Sequence, residues 1–308
     1  MTSHPLRALD LGVRRRIDSL MPGDHEGLRL GGGAEREEVT RYQPGDDVRR
    51  IDWNITARSS DVHVWRPRAD NQLDTWVLLD VSASMAFGTV SAEKRDLATQ
   101  LVWAVGLLTD APGNRLGLVT FGPHGLRWHR PGRPRMAAYR AGRVIDGLAH
   151  RTGNALGIAE ALTAFGSQRH RPGLRVVVSD FLDPDGRHTA PFAWQRPLRR
   201  LAARHDVIAV EVVDPRELEL PDVGSVVLVD PESGRQRHVF TSDRKLRQRY
   251  AEAAAAHRLE LAAAIRSCGA EHLSVSTGRD WVRDLGRFVI ARGRTQRRAG
   301  RSRGVRPR

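Results

Sequence analysis

The sequence predicts an α/β protein: a doubly wound, mostly parallel sheet with helices on both faces, plus a small N-terminal strand-containing accessory segment. Three observations carry this reading. From Asp74 onward, short apolar runs alternate with amphipathic stretches. The runs are apolar throughout, as in Trp76-Val77-Leu78-Leu79, which is how strands covered on both faces read. The composition, 40% hydrophobic and 28% charged, supplies enough apolar surface for a core and excludes a disordered chain.

Taken in order, residues 1–30 read as one short helix and a loop, broken at Gly31-Gly32-Gly33. The stretch from Glu38 to Arg68 is polar and turn-rich, and its alternating Asp61–Arg66 run predicts one strand. A strand over Trp76–Val81 follows. Lys94–Thr109 has helical periodicity, with Leu97, Leu101, Val105 and Leu108 on one stripe. Leu116–Phe121 is a strand leading into a hairpin through His124 and Trp128, then helices over Arg135–Leu148 and Ala155–Phe165. A strand at Leu174–Ser179, a helix at Trp194–Arg204 and a strand at Val207–Val213 continue the alternation. Ser225–Asp230 and Arg237–Phe240 form an antiparallel excursion. A long helix over Arg244–Ser267, a strand at His272–Ser276 and a helix at Trp281–Val289 complete the fold. The division is therefore 1–70 for the N-terminal helix and accessory strand segment, 71–290 for the α/β domain and 291–308 for an arginine-rich tail.

The chain of 308 residues carries a formal charge of +14. Lys94 and Lys245 are its only lysines, and eight arginines fall in Ala291–Arg308 without an acidic residue among them. A charge block with Gly, Ser and Pro predicts a disordered tail, solvated or in contact with nucleic acid or an acidic membrane surface. The longest apolar run, Leu101–Leu108, is far shorter than the roughly 20 residues that span a bilayer. Met1–Arg16 shows no secretory apolar region. Cys268, the single cysteine, excludes an intramolecular disulfide and a thiolate cluster. The expected location is the cytoplasm, with the tail allowing a peripheral membrane position.

Ligands of doubly wound sheets sit beyond the carboxyl ends of the strands. The polar residues at those ends are Asp80, Ser82 and Ser84 after the first strand, Thr152 before a helix, and Asp180 with Asp183 after the Val176–Val178 strand. All are hard oxygen donors, suited to Mg²⁺ or Mn²⁺ rather than zinc. Each alone also reads as a turn or helix cap. Their joint occurrence at strand ends favours a single metal site made of Asp80, Ser82, Ser84, Thr152 and Asp180, with Asp183 behind those ligands.

Asp80-x-Ser82-x-Ser84, Thr152 and Asp180 together resemble the metal-ion-dependent adhesion site of von Willebrand factor A domains, and Arg151–Ile158 resembles that family's threonine loop. Arg41-Tyr42-x-Pro44-Gly45-Asp46-Asp47-x-Arg49-x-Ile51-Asp52-Trp53 resembles the signature of the bacterial domain of unknown function 58, as do Asp214-Pro215-x-Glu217, Leu220-Pro221 and Gly224. The resemblance covers roughly residues 30–292. It implies a von Willebrand factor A-like domain associated with a MoxR-type AAA+ ATPase, acting in complex assembly or maturation. It implies that Ser82 and Ser84 bind the ion directly and that Thr152, Asp80 and Asp180 do so directly or through water. Neutral direct ligands would leave the ion able to accept an Asp or Glu from the ATPase or from a client protein. Many members carry N-terminal membrane segments; no such segment is visible here.

Enzymatic readings find little support. The chain has no Gly-Lys-Ser/Thr phosphate loop, no Gly-x-Ser-x-Gly elbow and no His-Glu-x-x-His. Ser82 stands where an aspartyl-phosphate phosphatase needs a second Asp. The chain is expected not to be an enzyme. The rival to the metal-dependent adaptor is an arginine-tail-driven binder with the α/β domain as scaffold. Asp46, Asp47, Arg49, Arg50 and Asp52 read either as an ion-pair network with Trp53 packed beneath, or, through Asp46, Asp47, Arg49 and Asp52, as a partner surface.

Overall fold

The computed structural model describes residues 37–44, 46–59, 61–67, 73–89, 92–147, 156–168, 171–182, 189–229 and 235–303. The N-terminal helix expected within residues 1–30, together with Thr152 and Asp183, lies outside them.

The accessory segment contains two strands rather than the one expected: β1 (Glu37–Arg41) pairs antiparallel with β2 (His63–Pro67). Between them lies the one-turn helix α1 (Trp53–Thr56). Three carboxylates of this segment cap local backbone, and Asp61 pairs with Arg41 at 3.0 Å. Asp52 Oδ1 accepts the N–H groups of Asn54 at 2.9 Å and Ile55 at 3.0 Å, Asp47 accepts that of Arg49 at 3.0 Å, and Asp46 that of Gln43 at 2.9 Å. Trp53 is not packed beneath them. It stands 70% exposed, because the first position of so short a helix has no layer to cover it.

The main sheet has six strands in the order β10-β7-β6-β3-β4-β5. They are β3 (Asp74–Asp80), β4 (Arg115–Phe121), β5 (Arg127–Gly132), β6 (Leu174–Ser179), β7 (Asp206–Val213) and β10 (Glu271–Ser276). All neighbours are parallel except β4 and β5. Strand β5 reads Arg-Trp-His-Arg-Pro-Gly, and its charges and proline suit an edge and not a sheet centre. A separate hairpin, β8 (Ser225–Val229) with β9 (Gln236–Phe240), is the predicted antiparallel excursion.

Both faces of the sheet are covered, as the unbroken apolar runs require. On one face Val77 and Leu79 of β3 pack with Leu97, Leu101 and Val105 of α2 (Lys94–Leu108), Ala138 and Ile145 of α3 (Pro134–Gly147), and Val282 and Leu285 of the last helix. On the other, Trp76 and Leu78 meet Leu162 and Phe165 of α4 (Ile158–Ser167), Leu198 of α5 (Gln195–Ala202) and Ile265 of α6 (Arg244–Ser267). The period of two along β3 thus divides one strand between two cores. At Gly117 of β4 the second core lies close against backbone: a Cβ there would lie 2.4 Å from the Trp76 ring.

The last helix, α7, spans Trp281–Arg303 and corrects the disordered-tail expectation over most of that stretch. The block is rich in arginine, a good helix former, and has no proline before Pro307, so the apolar-stripe helix has no signal to stop at Val289. Its first arginine is not a free charge. Arg292 is buried and its guanidinium bonds Asp206 and Glu271, at the starts of β7 and β10.

Gly117→Ala is expected to lower stability by about 1–3 kcal/mol, because the new methyl overpacks against an indole buried on a rigid sheet. Urea unfolding checks this: the midpoint should fall while the m-value stays unchanged.

Candidate functional site

The chain runs from β3 across α2 to β4 on one side, while β6 flanks β3 on the other. The point where the strand order reverses therefore lies between β3 and β6, the usual crevice of a doubly wound sheet. Asp80 ends β3, and Asp180 follows the last residue of β6, so the parallel pairing of those strands brings the two carboxylates to the same crevice. Asp80, Ser82, Ser84 and Asp180 are all buried.

The backbone leaving β3 folds back around Asp80. Its Oδ1 accepts the Ser82 N–H at 2.9 Å, and its Oδ2 accepts the Ser179 hydroxyl at 2.6 Å. Ser82 and Ser84 face each other with their hydroxyl oxygens 3.0 Å apart. Gly122, just past β4, presses against this loop with φ +148°, and a Cβ there would come within 2.9 Å of the Ser82 nitrogen. Only glycine permits that approach. Four of the five predicted metal residues are thus placed together.

Electrostatics distinguish the two aspartates. Burial, and then the charge of Asp180, push the Asp80 carboxyl up to about 7. Asp180 has a cation of its own. The ammonium of Lys94, the first residue of α2, lies 2.8 Å from Asp180 Oδ2 and 2.5 Å from Glu217 Oε1 and is fully buried. Burial opposes the charge on Lys94, but the two carboxylates outweigh it and hold the ammonium at about 12. Asp180 Oδ1 accepts the Leu182 N–H at 3.1 Å.

Sequence reasoning missed this lysine and its partner Glu217. The available signal was modest: a lysine opening an apolar-striped helix, with a second acidic pair, Asp214 and Glu217, after another strand of the same sheet. Asp214 is buried beside Glu217. It accepts the Thr89 hydroxyl at 2.5 Å, the Thr277 hydroxyl at 2.7 Å and the Arg216 N–H at 2.9 Å. Burial alone would raise its carboxyl, yet these hydrogen bonds hold it below the usual range.

Among the described residues, no three His, Cys, Asp or Glu side chains group as a metal-binding set. The donors at the crevice are two carboxylates and two facing hydroxyls, with one ammonium among them. Such hard oxygens fit a small divalent cation of the magnesium type, whose charge would offset the burial and the neighbouring Asp180 charge that raise Asp80.

Residues 38–260 match the family described as protein of unknown function DUF58. The chain belongs to that family. Two mycobacterial relatives extend the match to 94% of this DUF58 chain and 89% of their own length at 46% identity: uncharacterized protein Mb1516 of Mycobacterium bovis and uncharacterized protein Rv1480 of Mycobacterium tuberculosis. Solved structures that resemble this DUF58 chain include BatB from Bacteroides thetaiotaomicron, at 15% identity and TM-score 0.44 over 72% of this chain and 99% of that one. The SpRpn10 VWA domain aligns at 14% identity and TM-score 0.35 over 70% of this chain and 93% of that one. No described helix is long and apolar enough to cross a membrane.

The raised Asp80 carboxyl has a consequence for stability. A carboxyl with a folded pKa above its unfolded value binds its proton more tightly when folded, so stability is lost as pH rises from about 4 to about 7. With a chelator present, the melting temperature of the wild type is expected to fall between pH 5 and pH 8 by more than that of Asp80→Asn. Thermal melts of both proteins across that window check the sign.

Proposed function

We propose that this protein is a non-catalytic, metal-dependent protein–protein interaction module. Asp80, Ser82, Ser84 and Asp180, together with Thr152, hold one Mg²⁺ or Mn²⁺, and Asp183 supports them. A partner's Asp or Glu completes the shell. The observation that carries this reading is the burial of two carboxylates and two facing hydroxyls at the switch point of the sheet. The family resemblance supports a MoxR-type AAA+ ATPase, or a client delivered to it, as the partner, and complex assembly or maturation in the cytoplasm as the setting.

Two features support recognition over turnover. Lys94 bonds two carboxylates and is therefore not presented to a nucleotide phosphate. Ser82 and Ser84 hydrogen-bond each other, so their hydroxyls are already engaged with one another. Phosphate release from ATP and from an aryl phosphate, with Mg²⁺ or Mn²⁺, is expected to stay at background for the wild type and for Asp80→Ala alike. Multiple turnovers that vanish in the variant would overturn the non-catalytic reading.

The direct test is a Mg²⁺ titration followed by melting temperature. The wild type is expected to gain several degrees at saturation and Asp80→Ala to gain almost none; equal gains in both would count against the site. A pull-down then separates the two partner classes. Chelator and Asp80→Ala should abolish capture of the ATPase, whereas deletion of residues 291–308 and added salt would abolish binding driven by the arginine tail.

A further inference from the structure

A lysine is almost never fully buried unless it is paired, and Lys94 is both. Instead of running outward from the first turn of α2, its side chain enters the crevice and ends between two acceptors, Asp180 Oδ2 and Glu217 Oε1. Each acceptor is fixed from behind. Asp180 Oδ1 takes the Leu182 N–H, and Glu217 Oε2 takes the Asp214 N–H at 2.9 Å. Asp214 is in turn held by Thr89, seven residues past Ser82 on the chain leaving β3, and by Thr277, just beyond β10. An ammonium clamped in this way cannot leave cheaply, because departure would strand buried charges on both sides.

We infer that Lys94 is a built-in cation that sets the charge of the candidate metal site: it holds Asp180, weakens the site's own grip on a divalent ion, and so makes an outside carboxylate the favoured completing ligand. This rests on the metal-binding reading above. The physical reason is Coulombic. A fixed positive charge on a carboxylate of the site repels an arriving cation and takes up the oxygen that would otherwise draw it. Asp80, whose carboxylate accepts only neutral N–H and O–H donors, has no such competitor. Lys94 thus acts as a positioning residue, through Asp180 and not by touching the ion.

The experiment measures Mn²⁺ binding by electron paramagnetic resonance for the wild type, Lys94→Gln and Glu217→Gln, each with and without acetate as the stand-in carboxylate. Lys94→Gln is expected to bind Mn²⁺ about tenfold more tightly than wild type, and acetate to improve its binding less. Glu217→Gln removes a negative charge and leaves the ammonium to Asp180 alone, so its binding is expected to weaken severalfold. Affinity in Lys94→Gln that is equal to or weaker than wild type overturns the inference. Should that variant not fold, Glu217→Gln decides by itself, and unchanged or tighter binding there overturns it. Wild-type protein that binds no Mn²⁺ removes the metal reading and this inference together, an outcome distinct from a wild type that binds while its variants fail to diverge.

Discussion

Parallel pairing of β3 with β6 places two aspartates side by side in the interior, and the chemistry at this end of the molecule follows from accommodating them. Isolated carboxylates taken out of water cost several kcal/mol each unless they find donors or opposite charge. The chain provides both, unevenly. Asp80 receives neutral donors, the Ser82 N–H and the Ser179 hydroxyl, whereas Asp180 receives the Lys94 ammonium. The asymmetry leaves Asp80 with its carboxyl raised and Asp180 with a cation already in place.

The position of Lys94 is decided by packing far from the crevice. Leu97, Leu101 and Val105 seat α2 on the face of the sheet that Val77 and Leu79 present. That seating fixes the rotation of the helix, and its first residue then points at the ends of β3 and β6. Gly122, just past β4, leaves room for the loop after β3 to close on Ser82. A change that tilted α2 by one side chain's width would separate Lys94 from Asp180 while leaving the fold intact.

The main domain was legible in the sequence because its strands are apolar on both faces and its helices carry clear stripes; the expected Arg244–Ser267 helix and Leu174–Ser179 strand coincide with α6 and β6. Strand β1 was not, since Glu-Glu-Val-Thr-Arg shows little alternation and owes its form to pairing with β2. Trp53 was misread for a related reason. Large aromatics are usually covered, and nothing local in the sequence shows that Trp53 opens a one-turn helix with no layer over it. At the crevice, Asp80, Ser82, Ser84 and Asp180 were legible from their places at strand ends. Lys94 and Glu217 were not, because 123 residues separate them and only the folded sheet brings them together. The arginine tail looked disordered by composition, yet Arg292 bonds Asp206 and Glu271 and carries the helix past the end of its apolar stripe.

A carboxyl raised to about 7 is also what a general base looks like, so the cause of the shift matters more than its size. In a general base the raised carboxyl faces the proton it will take. Here both oxygens of Asp80 already accept hydrogen bonds from its own chain, and the charge that perturbs it comes from a second carboxylate fixed by Lys94. The perturbation comes first from burial and then from the neighbouring charge of Asp180. A divalent cation would offset the like charges that meet there. Burial beside a like charge is what a bound positive charge would offset, and this is the physical ground on which a cation site is proposed at the crevice.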